Sequence, residues 1–403
     1  MDKNDDKIIR DNGEVLNEMI YLAVCGMKNL TPDYNLIKNV DFEKLYNLSS
    51  VHSLSALVCK ALEDCAELSN HLDDKTDKYL KLFQQKKAQS IRKNILLDVK
   101  RKELYQYLDS NGIWYMSLKG IVIKDLYPDI GLREMADNDI LFDRKYRDEV
   151  RRWFESDGFT GVDIGVDNHD VYEKRPIYNY EMHILLFSDR YHNKWYQYYR
   201  NVEDRLIHSN QSMEVHLSPE DFYIYFMLHG YKHYTEFGIG IRFLTDLYVI
   251  LKKYAKKMDW DYIRQECKKT GIQEFESVYR KLTVHVFRNP DMKLEHLSER
   301  EKREIMFLGR SGVHGTREQR LNILMSHATN SNGKVSKVRY YLNRMFPSAE
   351  FMRMHYPPFG RHKIFLPVGW MYRLIKNTFT KKQKLKEEVR YLMSNGVRPR
   401  RQD

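Results

Sequence analysis

The spacing of apolar residues divides the chain into a helical beginning, a short alternating middle and a helical remainder. Val15, Met19 and Leu22 recur at helical spacing, and residues 51–62 form a second apolar-rich helical segment. Over 75–108, Ile91, Ile95, Val99, Leu104 and Leu108 fall among many Lys and Gln, which predicts one long amphipathic helix. Asn111-Gly112 closes it. The period then shortens. Residues 114–118 read as a strand, Lys119-Gly120 as a turn, and 121–126 as an apolar segment. Ile140, Leu141 and Phe142, directly behind Asp137-Asn138-Asp139, read as a strand entering a core. A helix over 144–157 stops at Gly158, and 178–187 has the pattern of a further strand. Ser218-Pro219-Glu220-Asp221 places a capping hydroxyl, then proline, then acids, which marks a helix start. Leu244, Leu247 and Leu251 give the buried face of the helix after it. Beyond Asn289 the pattern thins. Helices over 294–306 and 316–328 flank a glycine-rich loop at 309–315, and Pro347, Pro357, Pro358 and Pro367 cut up the rest. Residues 365–372 are the most apolar of this region; they are expected to dock on the core, with a membrane-surface contact as the alternative.

This succession predicts an α+β fold, a small mixed sheet with helices embedded between helical regions. The expected divisions are an N-terminal helical region 1–110, an α/β core 111–217, a helical region 218–290 completing the site, and a C-terminal helical region 291–403 with a basic tail. The 403 residues suffice for two or three packed units, and 42% hydrophobic with 13% aromatic content argues for a folded chain. No internal repeat or low-complexity tract appears.

Composition narrows the function classes. The four cysteines, Cys25, Cys59, Cys65 and Cys267, make no C-x-x-C pair and read as thiols in a reducing cytoplasm. The polar, acidic first residues are wrong for a signal peptide, and no apolar run is long enough to span a bilayer, so a soluble cytoplasmic protein is expected. The net charge of +11 invites a nucleic-acid reading. Its location argues otherwise: residues 371–403 hold ten Lys and Arg against three acids, away from the aspartates. A solvated basic helix and tail is one reading; RNA or an anionic surface is the other. No zinc-finger or aromatic RNA-binding signature accompanies the charge.

Candidate chemistry centres on Asp137 and Asp139. Two residues apart on a strand, their carboxylates share a face. Such a pair repels unless a cation lies between, and hard cations such as Mg²⁺ bind through one or two carboxylates plus substrate phosphates. Gly120 would let the backbone approach a phosphate at the start of a helix, with Lys119 and Arg133 as nearby positive charge. His229, Lys232 and His233 share one helical face. They form a helix end satisfied by its own carbonyls, or place Lys232 and His233 against nucleotide phosphates. A zinc pair is the weaker reading, because Gly230 stands where H-E-x-x-H has glutamate. Arg242 and Asp246, four apart, form an intrahelical ion pair, or Arg242 reaches a triphosphate and Asp246 orients it. Gly238-x-Gly240 is too little for a Rossmann fingerprint.

Taken together, Leu118-Lys119-Gly120, Tyr127-Pro128, Gly131-x-Arg133 and Asp137-x-Asp139 resemble the uncharacterised bacterial nucleotidyltransferase family of the polymerase-beta superfold, over residues 114–251. The resemblance implies a polymerase-beta-like core in which the D-x-D holds two Mg²⁺ ions (Mn²⁺ as the alternative) and a later strand adds a third carboxylate. Glu181 in Glu181-Met182-His183 takes that role, with Glu214 in Glu214-Val215-His216 as the competing position. His229-x-x-Lys232-His233 and Gly240-Ile241-Arg242…Asp246 resemble the same pattern. Gly120-Ile121 departs from the superfold's usual Gly-Ser or Gly-Gly. The implied activity is transfer of an NMP from an NTP, by prior ATP, to an unidentified hydroxyl acceptor with release of pyrophosphate. The rivals are a non-catalytic NTP sensor and a basic RNA-binding scaffold.

Overall fold

In the computed structural model, residues 13–70, 73–165, 167–188, 194–288, 296–312, 342, 345–347, 349, 352, 356, 359 and 363–380 are described. Contacts divide the chain into two units, residues 1–316 and 317–403.

The N-terminal helices of the first unit are α1 (Leu16–Lys28), α2 (Phe42–Val51), α3 (Ser55–Glu63) and α4 (Asp74–Ser110). The expected helix over 51–62 is instead split. Helix α2 ends at Val51, Ser53 takes a positive φ of 51°, and α3 begins at Ser55. Helix α4 is the predicted long helix, started by the Asp73 side chain accepting from the Thr76 N–H at 2.7 Å. Its inward stripe is not the one its apolar residues suggest. Ile95 and Val99 are 47% and 53% exposed, whereas Ser90, Asn94, Leu97, Arg101, Leu104 and Leu108 are buried. The polar members of that stripe serve the segment ahead of the aspartates. Ser90 Oγ donates to the Gly131 carbonyl at 2.7 Å and Asn94 Nδ2 to the Arg133 carbonyl at 3.3 Å.

The sheet has the order β1-β2-β5-β4-β3, with β1 (Tyr115–Ser117), β2 (Asn138–Phe142), β3 (Thr160–Asp163), β4 (His169–Lys174) and β5 (Tyr178–His183). Only β2 and β5 run parallel; the other neighbours are antiparallel. Between β1 and β2 lies α5 (Lys119–Lys124), and between β2 and β3 lies α6 (Arg147–Ser156). One sheet face carries Tyr115, Ile140, Phe142, Tyr180 and Met182, packed with Leu97, Leu104 and Leu108 of α4 and Val150 and Phe154 of α6. Residues of the opposite parity, Met116, Leu118 and Leu141, belong to the other core, which the helices share.

That core is built on α7 (Lys194–Tyr199), α8 (Pro219–Glu236), α9 (Arg242–Tyr254), α10 (Trp260–Thr270), α11 (Gln273–Arg288) and α12 (Glu299–Gly309). Ser218 caps α8 as predicted, its Oγ accepting from the Asp221 N–H at 3.1 Å. Helix α12 starts at Glu299 rather than 294 because Ser298 and Glu301 close a capping box there. The expected helix over 316–328 and the basic residues beyond 380 lie outside the described residues. In the second unit, α13 spans Leu366–Thr380. Within the stretch 365–372, Leu366 is buried and Trp370 is half-buried, its Nε1 donating to the Pro347 carbonyl at 3.0 Å, while Phe365, Val368, Met371 and Tyr372 are exposed. No helix among the described residues is long and apolar enough to cross a membrane.

His52, in the break between α2 and α3, is fully buried and ties distant parts of the unit together. Its Nδ1 accepts from the Ile241 N–H at 3.2 Å, and its Nε2 donates to the Gly309 carbonyl at 3.2 Å. Both ring nitrogens are satisfied in the neutral form, and burial depresses its pKa from 6.5 to about 4. The unfolded chain therefore takes up a proton first as pH falls. The neutral-histidine stabilisation is complete above about pH 6.5 and is lost on descent towards pH 4. Between pH 7 and 5 His52 is expected to cost about 2 kcal/mol. Urea unfolding at both values should show that much less pH dependence in His52→Gln than in wild type. Equal dependence would refute the assignment.

Candidate active site

The parallel pair β2 and β5 sets Asp139 directly opposite Glu181. Asp137 stands just before β2, two residues from Asp139 and on the same side by the strand period. The intervening Asn138 points the other way, where Arg101 Nη1 of α4 donates to its Oδ1 at 3.0 Å. Fastening the middle residue from behind aims both aspartates at the opposite face. Asp139 is itself closely held: His183 Nε2 donates to its Oδ1 at 3.0 Å, and Lys119 Nζ lies 3.6 Å from its Oδ2.

Lys119 reaches that position because α5 begins immediately after β1, where the Leu118 N–H donates to the Asp139 carbonyl at 3.0 Å. Its ammonium also donates to His229 Nε2 at 2.8 Å, and His233 Nε2 lies 3.1 Å from the same nitrogen. The His-x-x-x-His pair of α8 thus receives a lysine. Gly120 sits in the first turn of α5, not in a turn ahead of it as the sequence suggested. A Cβ there would meet Arg133 Nη1 at 3.1 Å and Met135 Cε at 3.2 Å, so glycine admits the Arg133 guanidinium.

Arg133 and Asp246 are joined to each other. They form a buried bidentate pair, Nε to Oδ1 at 2.9 Å and Nη2 to Oδ2 at 3.0 Å, and the Tyr127 hydroxyl donates to Asp246 Oδ1 at 2.7 Å. The intrahelical Arg242–Asp246 ion pair is therefore not formed. Arg242 Nη1 donates to the Glu134 carbonyl at 3.1 Å instead. Lys232 is half-buried on α8, and its charge acts on His169 and His229. Glu214 bridges to Tyr115, which pairs with Phe142 at the far end of β2 from Asp139.

The electrostatics follow from crowding buried acids. Burial, then the charges of Asp139 and Asp137, push Glu181 up to about 8. Burial and Asp139 raise Asp137 as well. Asp139 goes the opposite way: burial opposes ionisation, but Lys119 and the His183 hydrogen bond outweigh it and hold the carboxyl well below the usual range. Lys119 keeps its charge against burial chiefly through Asp139. Burial and His183 bring His169 down to about 4, and burial with Lys119 keeps His229 neutral. Three carboxylates facing one ammonium leave excess negative charge that a divalent cation fits. The ligand atoms of His169, Glu181 and His183 also lie within 4.8 Å of one another.

The structure thus gathers Lys119, Asp137, Asp139 and Glu181, and adds His169, His183 and His229, which the sequence reading did not place in the site. His183 was visible in Glu181-x-His183; His169 needed the β4–β5 register. Lys93 is a further addition, donating from Nζ to the Ala136 carbonyl at 3.0 Å beside Asp137.

An α+β sheet that presents acids from two parallel strands beside a buried lysine is a centre suited to a cation and phosphates. Residues 38–288 match the family described as uncharacterised nucleotidyltransferase, and the chain belongs to that family. No curated protein matches the chain. Among solved structures, a nucleotidyltransferase-like antigenic protein from Paracoccidioides brasiliensis aligns at 19% identity and a TM-score of 0.30, covering 49% of this chain and 97% of that one.

Proposed function

We propose that this protein transfers an NMP from an NTP to a hydroxyl acceptor and releases pyrophosphate. The observation that carries the reading is the placement of Asp137, Asp139 and Glu181 on one side of two parallel strands, with Lys119 between them and His229. Divalent ions of the Mg²⁺ type, when bound, would supply charge stabilisation to the phosphates and to the attacking and leaving oxygens. Asp137, Asp139 and Glu181 would hold them. With Asp139 holding such an ion, Lys119, kept in place by His229, would be available to phosphate oxygens. Lys93 adds positive charge beside Asp137, and the charge of Lys232 reaches His169. ATP is the NTP to try first.

The test is pyrophosphate release and α-label transfer from each of the four NTPs with Mg²⁺. Asp137→Asn is expected to lower transfer about 100-fold or more, by analogy with loss of one preorganised charge-stabilising group. Label on the protein itself or on an added acceptor would name the acceptor class. Wild-type turnover in Asp137→Asn, or no binding of any NTP by wild type, would remove the proposal.

A further inference from the structure

Two imidazoles meet Glu181 in a way that an all-oxygen cation site does not need. His169 Nε2 and His183 Nε2 each lie 3.7 Å from Glu181 Oε2. The topology brings them together: His169 pairs with His183 across β4 and β5, and Glu181 precedes His183 by two residues, so all three project to one side. Metal bonds of about 2.0–2.2 Å place adjacent donors roughly 3–3.5 Å apart. Small side-chain shifts therefore close these three atoms around one ion. His169 is already turned for it. Its Nδ1 lies 3.4 Å from Asn168 Oδ1 and donates there, which leaves the Nε2 lone pair facing the Glu181 carboxylate. His183 Nε2 carries the proton that it donates to Asp139 Oδ1 at 3.0 Å, so an ion bound there must displace that proton, as metals do on binding histidine.

We propose that His169 Nε2, His183 Nε2 and Glu181 form a separate site for a borderline transition-metal ion, of the Co²⁺ or Zn²⁺ kind. It adjoins an oxygen-only position at Asp137 and Asp139. The two cations of the centre are then unlike. This rests on the reading of the three acids as cation holders and goes beyond it in assigning nitrogen ligands and a different metal. Imidazole favours such ions, whereas Mg²⁺ takes oxygen and keeps much of its water.

The experiment titrates chelator-stripped full-length protein with Co²⁺ in saturating Mg²⁺. Bound Co²⁺ is followed by its visible absorption and by metal content after gel filtration. Retention of Co²⁺ against Mg²⁺ is expected, with affinity falling about 10- to 100-fold in His169→Ala. His169 is partly exposed, so that variant should keep the wild-type circular dichroism spectrum; His169→Gln serves as a second variant if it does not. Asp137→Asn, outside the triangle, should still retain Co²⁺. Displacement of Co²⁺ by Mg²⁺, or equal retention in both His169 variants, overturns the site. Label transfer read on the same samples separates the two ideas. Transfer with Mg²⁺ but no retained Co²⁺ keeps the enzyme and removes this site. Retained Co²⁺ without transfer from any NTP keeps the site and removes the transferase reading.

Discussion

Asp139→Asn is expected to abolish transfer and, in metal-free protein, to lower stability by about 3–5 kcal/mol, because it breaks a buried ion pair from one side. Asp139 is 9% exposed, and the Lys119 ammonium beside it has the neutral His229 as its other close partner. Without the Asp139 charge, Lys119 loses its strongest counter-charge and keeps only the weaker pull of Glu181 and Asp137, and the His183 hydrogen bond meets a weaker acceptor. The loss should fall on both function and fold, so a second variant must separate them. Lys119→Met/Asp139→Asn removes both charges and is expected to recover most of the stability while remaining inactive. Urea midpoints without metal and label transfer with Mg²⁺ supply the readouts. An unchanged midpoint in Asp139→Asn would mean that Lys119 does not depend on it, and retained turnover would exclude Asp139 from the chemistry.

The parts of this site that the sequence disclosed are those set by local rules. Asp137 and Asp139 share a face because strand geometry repeats every two residues, and the apolar run behind them announces the strand. Glu181 was favoured over Glu214 for the strand pattern around it; the structure sets Glu181 opposite Asp139 and Glu214 beside Tyr115. Long-range pairing was not legible. The i, i+4 spacing of Arg242 and Asp246 suggested a local pair, yet Asp246 lies 113 residues from the arginine that holds it. A buried bidentate fork outweighs an intrahelical pair worth a few tenths of a kcal/mol. The face of α4 was misread for a related reason. Ser90, Asn94 and Arg101 are turned inward by backbone and side-chain partners on the segment around Arg133 and Asn138, so Ile95 and Val99 face solvent. His169 carried no local signal at all, since its place depends on which residue of β5 it faces.

The Arg133–Asp246 pair makes the other large prediction, and it distinguishes a residue that binds phosphate from one that positions the site. Asp246→Ala is expected to destabilise the fold by about 3–5 kcal/mol, since Arg133 is buried and loses both of its carboxylate bonds. Tyr127 loses one of its two partners in the same step and keeps Thr245 Oγ1 at 2.8 Å. Arg133 lies four residues before Asp137 and against Gly120, so the disturbance reaches both the acidic strand and the start of α5. Replacing the pair with apolar side chains, Arg133→Met/Asp246→Leu, removes the unpaired charge and is expected to restore most of the stability, as buried pairs elsewhere tolerate such exchange. The restored double variant then decides the role. If Arg133 only fixes the segment leading to Asp137, KM for the NTP should stay within about twofold of wild type and any deficit should appear in kcat. A KM raised tenfold or more at unchanged kcat would instead assign the guanidinium to the triphosphate, and would require the Asp246 pair to open when nucleotide binds.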